Sequence, residues 1–112
     1  MGLQLKGSIP ANILPLDGDY HIDEASYCRH VDWLASRPGV GGITCNGHAA
    51  EVSALSRDER RRAVALAVEA VAGRVPVIAG VYAENYQQAI PYARDAQAEG
   101  AAGLLIFPPN AL

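Results

Sequence analysis

Short apolar runs alternate with helical patterns along this chain at a nearly constant interval, and this alternation restricts the possible folds more than any other feature. The run Gly39-Val40-Gly41-Gly42-Ile43 recurs as Gly100-Ala101-Ala102-Gly103-Leu104 two units later. Successive strand starts are roughly thirty residues apart, which is the interval expected when a helix joins two strands. Such a unit is a right-handed βαβ crossover, and its strands are parallel. The sequence therefore predicts an α/β fold with a parallel sheet.

Four apolar runs and three helical patterns define the predicted elements. The strands are expected at residues 7–16, 41–45, 75–81 and 103–107, and the helices at 23–37, 57–72 and 85–99. Pro10 and Pro15 interrupt the first run, so that strand is expected to be short or irregular, because proline has no N–H for a sheet ladder. Pro91 lies inside the third helix, where we expect a kink or a ragged first turn.

The loop between the second strand and the second helix is the predicted position of the functional site. It lies at the carboxyl end of its strand, where α/β folds place their chemistry. Gly47 and two alanines leave the backbone N–H groups of this loop open to a carboxylate or phosphate. Ser56 and Glu59 have the spacing of a capping box, which fixes the start of the following helix. Functional residues are therefore expected between Gly47 and Glu51.

The charge of the chain argues against a nucleic-acid partner. Half of the residues are apolar, which is enough for a buried core, and the formal net charge is −3. The main cluster of cationic residues is Arg60-Arg61-Arg62, beside Asp58 and Glu59. We interpret this cluster as a solvated helix face with local ion pairs, in preference to an anion-binding patch.

The two cysteines, Cys28 and Cys45, are too few for a disulfide framework in a chain of 112 residues. The chain has neither a signal-like apolar start nor an apolar run long enough to cross a bilayer. A cytoplasmic protein with free thiols and no membrane partner is therefore expected. Cys45 and His48 form a loose pair, for which metal or thiol chemistry is the alternative to a structural role. Zinc would need further ligands.

The segment from Gly47 to Arg60 resembles a family signature, Gly-Thr-Thr-Gly-Glu…Leu-Ser…Glu-Arg. This is the signature of the dihydrodipicolinate synthase and N-acetylneuraminate lyase family, class I aldolases that form a Schiff base with pyruvate. The matching residues are Gly47, Glu51, Leu55, Ser56, Glu59 and Arg60. His48, Ala49 and Ala50 stand where the family has Thr, Thr and Gly. The resemblance extends from about Gly7 to Pro109.

This resemblance implies that residues 1–112 are the N-terminal half of a (β/α)8 TIM barrel, with four parallel strands and three helices. A complete barrel typically needs ~250 residues. Half a barrel leaves its first and fourth strands with unpaired edges. We therefore expect a fragment, a truncated product or one partner in an assembly, and the resemblance adds the expectation of a homo-oligomer.

The resemblance also implies a binding site for a small keto acid such as pyruvate at Gly47, His48 and Ala49. His48 can donate a hydrogen bond or carry positive charge next to an anion, and Ala49 can offer its backbone N–H. The alternative is that His48 only fills the loop. Glu51 is expected to brace the loop by accepting backbone hydrogen bonds.

No catalytic residue is expected in this chain, and neither a cofactor nor a metal. Its only lysine, Lys6, precedes the first strand and so lies at the amino end of the predicted barrel. By resemblance, the Schiff-base lysine and the tyrosine that moves protons to it belong beyond Leu112. Tyr82 and Tyr86 are interpreted as loop packing.

The first functional interpretation is the N-terminal portion of a pyruvate-type aldolase or lyase, which acts through a Schiff base to make or break a carbon–carbon bond. The 112-residue chain alone is expected to be inactive. The alternative is a non-catalytic half barrel that associates with itself or binds a small carboxylic acid.

Overall fold

A computed structural model describes residues 3–109 as three helices packed against a three-stranded parallel sheet. The helices are α1 (Glu24–Ala35), α2 (Arg57–Val71) and α3 (Tyr86–Ala98). The strands are β1 (Ile43–Cys45), β2 (Val77–Val81) and β3 (Gly103–Ile106), in the spatial order β1-β2-β3. Each strand thus pairs in parallel with its neighbour along the chain, which confirms the α/β class.

The first predicted strand does not join the sheet, so the expectation of four parallel strands is wrong. This segment meets the chain next to it through two isolated parallel bridges, Ser8 with Val40 and Ala11 with Thr44. The register shifts by one residue between the two bridges, and Pro10 lies in that interval without an N–H to donate. The segment therefore runs beside β1 without a continuous hydrogen-bond ladder.

A side-chain cap begins each helix, as the sequence predicts. Asp23 caps α1 and Asn85 caps α3. Ser56 and Glu59 form a complete capping box at α2, because the Ser56 hydroxyl accepts from the Glu59 N–H (3.1 Å) and the Glu59 carboxylate accepts from the Ser56 N–H (2.8 Å). α3 continues through Pro91 as one helix.

The core lies between the sheet and the helices, and its largest fully buried side chain is Tyr27 of α1. The Tyr27 hydroxyl donates to the Ala63 carbonyl and accepts from the Asn12 amide, each at 3.3 Å, so its polar end is satisfied inside the core. Cys28 is half-buried and packs against this core. The other buried apolar residues include Val31, Ile43, Cys45, Val64, Leu66, Val71, Val77 and Ala79.

Residues 3–6 lie across the amino ends of the strands. A side chain at Gly41 would overlap the Lys6 carbonyl, so this close approach requires glycine. The same segment also approaches the start of β3, where a Cβ at Gly103 would lie 2.7 Å from Leu3 Cδ2. Lys6 is therefore at the amino edge of the sheet, as its sequence position predicts.

Ion pairs connect the three helices along their outer surface. Arg57 and Arg61 of α2 both reach Asp95 of α3, at 2.8 and 3.2 Å. Arg62 reaches Glu24 of α1 at 2.7 Å. Two members of the arginine cluster thus form the solvated, ion-paired face that the sequence favours, and Arg60 turns the other way.

β3 is the least covered strand of the sheet. Leu104, Leu105 and Ile106 are 42%, 43% and 58% exposed, whereas every residue of β2 is buried. A groove of about 390 Å³ runs between β3 and α3. Within residues 3–109, none of the helices combines the length and apolar character that crossing a bilayer requires.

Candidate functional site

The chain that leaves β1 makes two short 3-10 turns before α2, at His48–Ala50 and Val52–Ala54. Asn46 and Glu51 have positive φ angles of 56°, which turn the backbone sharply at the start of the loop and between the two turns. The Gly47 carbonyl accepts from the N–H groups of Ala50 (3.2 Å) and Val52 (3.3 Å), which closes the loop on itself. The predicted functional loop is therefore a compact structure at the carboxyl edge of the sheet.

Within this loop, the N–H groups of His48 and Ala49 have no hydrogen-bond acceptor among residues 3–109. Both residues are exposed, whereas Gly47 is buried beneath them. The side chain of Ala49 is only a methyl group, so an anion can approach its N–H closely. Gly47, His48 and Ala49 thus lie together, and two of their N–H groups have no acceptor among the described residues.

His48 belongs to an aromatic cluster with Tyr82 and Phe107. Its ring stacks on Phe107, with ring centres 4.4 Å apart and an angle of 19° between the planes, and meets Tyr82 edge-on at 6.2 Å. These three residues follow β1, β2 and β3 respectively, so each strand contributes one ring to the same edge. The Tyr82 hydroxyl donates to a Glu84 carboxylate oxygen at 2.7 Å.

Phe107 was not among the expected site residues, and Tyr82 was interpreted only as loop packing. The signal that could have found both is their position, since each directly follows the carboxyl end of a parallel strand. Tyr86, on the first turn of α3, is 70% exposed and does not belong to the cluster.

The Glu51 backbone makes two hydrogen bonds within the loop. Its N–H donates to the His48 carbonyl at 2.9 Å, and its own carbonyl accepts from the Ala54 N–H at 2.9 Å. The Glu51 side chain is exposed, and its carboxylate accepts no hydrogen bond from any residue between 3 and 109. The side-chain contact expected from the resemblance is therefore not found within that range.

Arg60 lies beneath the loop and contacts the residues on either side of it. Its Nε donates to the Leu55 carbonyl at 3.1 Å, and its Nη1 donates to the Tyr82 carbonyl at 2.5 Å. Its guanidinium lies 4.2 Å from the ring centre of Tyr92 on α3. The backbone carbonyl of Arg60 accepts from the Asn46 side-chain amide at 2.9 Å.

Close packing of the strands holds this region in place. A side chain at Gly80 of β2 would overlap the Asn46 carbonyl, so glycine is needed where the two chains pass. Asn46 is buried, and its side-chain oxygen has no hydrogen-bond partner among the described residues.

The thiol alternative gains no support from the position of Cys45. This residue is fully buried in β1, and burial raises the pKa of its thiol to about 12. Its sulfur therefore stays protonated and enclosed, which does not suit a nucleophile. Between residues 3 and 109, no three His, Cys, Asp or Glu side chains are grouped so that they could hold a metal ion.

Comparison with known proteins gives a consistent result. The model of the dihydrodipicolinate synthetase family matches residues 4–110. The 4-hydroxy-tetrahydrodipicolinate synthase of Agrobacterium fabrum is 42% identical over 104 residues, and that of Bartonella quintana is 38% identical over 105. These alignments cover 93% and 94% of this chain but 35% of each relative, so the chain spans about a third of their length.

Solved structures are similar over the same extent. Dihydrodipicolinate synthase from Aquifex aeolicus superposes with a TM-score of 0.85 and 28% identity, covering 93% of this chain and 35% of that protein. N-acetylneuraminate lyase from Mycoplasma synoviae superposes with a TM-score of 0.86 and 27% identity, covering 96% and 38%.

Proposed function

The chain belongs to the dihydrodipicolinate synthetase family, and we propose that it supplies the amino-terminal half of a barrel whose complete form is a Schiff-base aldolase or lyase. In that role its own residues bind the carboxylate of a keto acid such as pyruvate. The reaction makes or breaks a carbon–carbon bond of the keto acid after its carbonyl has condensed with a lysine amine and released water.

The observation that carries this proposal is the pair of open N–H groups at His48 and Ala49, next to an exposed imidazole at the carboxyl edge of a parallel sheet. Two N–H groups of one loop suit the two oxygens of a carboxylate, and the His48 imidazole can donate a further hydrogen bond. The family has hydroxyl groups at these positions, whereas this chain has one ring and one methyl group. Carboxylate binding should therefore depend on the ring of His48.

A titration of the 112-residue chain with pyruvate, followed by amide NMR, tests the site. We expect saturable shifts of the Gly47, His48 and Ala49 amides. His48→Ala should weaken binding by about 1.5–3 kcal/mol if the site is dry and by less if it is wet.

His21→Ala, in the exposed loop before α1, is the matched control and should leave the affinity unchanged. Equal affinities of the parent chain and His48→Ala would show that His48 only fills the loop. Absence of shifts at all three amides would overturn the carboxylate site itself.

We expect the complete enzyme to form an imine with pyruvate, and we expect this chain alone to form none. Lys6 lies at the amino edge of the sheet, and the open N–H groups lie at the carboxyl edge. Treatment with pyruvate and borohydride should therefore leave the intact mass of the chain unchanged. A stoichiometric adduct at Lys6 would contradict the assignment of the site to the carboxyl edge.

A non-catalytic half barrel that associates through its uncovered strand is the second candidate, and the exposure of Leu104–Ile106 favours it. Both candidates share the carboxylate site. The full reading frame distinguishes them, because a downstream strand that carries a lysine favours the enzyme. For either one we propose a cytoplasmic location, which the two unpaired thiols support.

A further inference from the structure

Arg60 differs from its two neighbours in what it binds. Arg61 and Arg62 pair with carboxylates, whereas the guanidinium of Arg60 is directed at two backbone carbonyls and an aromatic ring. A charged side chain that is half-buried against carbonyls has its position tightly defined, because each contact depends on the orientation of the planar guanidinium.

Each contact of Arg60 belongs to a different part of the candidate site. The Leu55 carbonyl ends the loop that follows β1, and the Tyr82 carbonyl begins the loop that follows β2. The Asn46 amide, which bonds to the Arg60 carbonyl, begins the first of these loops. One residue therefore holds both ends of the loop that carries His48 and also the residue that His48 meets edge-on.

We propose that Arg60 is the positioning residue that sets the spacing between His48 and Tyr82 at the mouth of the site, and through that spacing sets the affinity for a keto-acid carboxylate. The effect on keto-acid affinity rests on the proposed function. His48 stacks on Phe107 independently of Arg60, so loss of Arg60 should free the Tyr82 side of the cluster and leave the Phe107 side in place.

Lysine cannot replace arginine in this role. A single ammonium cannot reach two diverging carbonyls in fixed directions and also lie flat on the Tyr92 ring. Arg60→Lys keeps the charge and most of the length, so it isolates the geometry of the contacts. Arg61→Lys is the matched control, because Arg61 is the next residue on the same helix and its side chain pairs with carboxylates, not with backbone carbonyls.

The experiment measures nuclear Overhauser effects between the His48 ring and the rings of Tyr82 and Phe107 in the 112-residue chain, together with pyruvate affinity. In Arg60→Lys we expect the His48–Tyr82 effect to disappear, the His48–Phe107 effect to remain, and affinity to fall roughly tenfold through misplacement of the loop. Arg61→Lys should retain both effects and the parent affinity.

A retained His48–Tyr82 effect in folded Arg60→Lys would overturn the proposal, and so would a simultaneous loss of both effects. Tyr92→Leu removes only the ring beneath the guanidinium and should weaken the His48–Tyr82 effect selectively, so it tests the same point if Arg60→Lys does not fold. If the parent chain binds no pyruvate, the proposed function fails while the Overhauser comparison still decides the role of Arg60.

Discussion

At the scale of single residues, His30 links the stability of the fold to pH. Its Nε2 accepts a hydrogen bond from the Ile13 N–H at 3.2 Å, which requires the neutral imidazole. Burial lowers the pKa of His30 below its usual range, so the unfolded chain binds this proton more readily than the folded chain. The free energy of unfolding should therefore be fully retained above about pH 6.5 and should decrease as pH falls below it.

His30→Gln preserves a hydrogen-bond acceptor but has no titrating ring. This substitution should therefore reduce the dependence of the unfolding free energy on pH. Urea unfolding at a series of pH values measures it, with the exposed His21→Gln as control. If the unfolding free energy of His30→Gln changed with pH as steeply as that of the parent chain, His30 would not be the cause of the pH dependence.

At the same scale, some neighbours within the candidate site could be predicted from sequence and others could not. Gly47, His48 and Ala49 lie together as expected, because all three belong to one short loop. Phe107 was missed, because its contact with His48 joins positions far apart in the chain and depends on how β1 and β3 are aligned across β2. The inward direction of Arg60 could not be predicted for the same reason, since its partners Tyr82 and Tyr92 come from later elements.

At the scale of elements, the capping box at α2 should make a measurable contribution to stability. Both of its hydrogen bonds are formed, between Ser56 and Glu59. Ser56→Ala should lower the free energy of unfolding by about 1 kcal/mol, because it leaves an N–H of the first turn without its acceptor. Chemical denaturation measures the change, and Ser53→Ala, exposed in the preceding loop, is the control. Equal effects of the two substitutions would contradict a special role of the cap.

The elements themselves were predicted well where local sequence determines them. The caps Asp23, Ser56 and Asn85 begin helices at the predicted places, because side-chain capping is a contact within one turn. The first strand was predicted wrongly, because a ladder needs matching register in two segments. The register shift near Pro10 arises only where that segment meets its neighbour.

At the scale of the whole molecule, the uncovered strand β3 should cause the 112-residue chain to associate. Leu104, Leu105 and Ile106 leave apolar surface beside an open strand edge, which favours pairing with another chain. Sedimentation over a range of concentrations should show species larger than the monomer. Leu105→Lys should weaken association roughly tenfold or more, since burying one leucine contributes about 1.5–3 kcal/mol.

Trp33→Lys, on the exposed surface of α1, adds the same charge elsewhere and serves as the control. A compact monomer at every concentration, or equal effects of the two lysine substitutions, would exclude β3 as the associating surface.

Two of the ion pairs between the helices join residues that are the same distance apart along the chain. Arg62 and Glu24 are 38 residues apart, and so are Arg57 and Asp95. Both pairs involve α2 but share no residue, so each of the two ion pairs can be removed by substitution without removing the other.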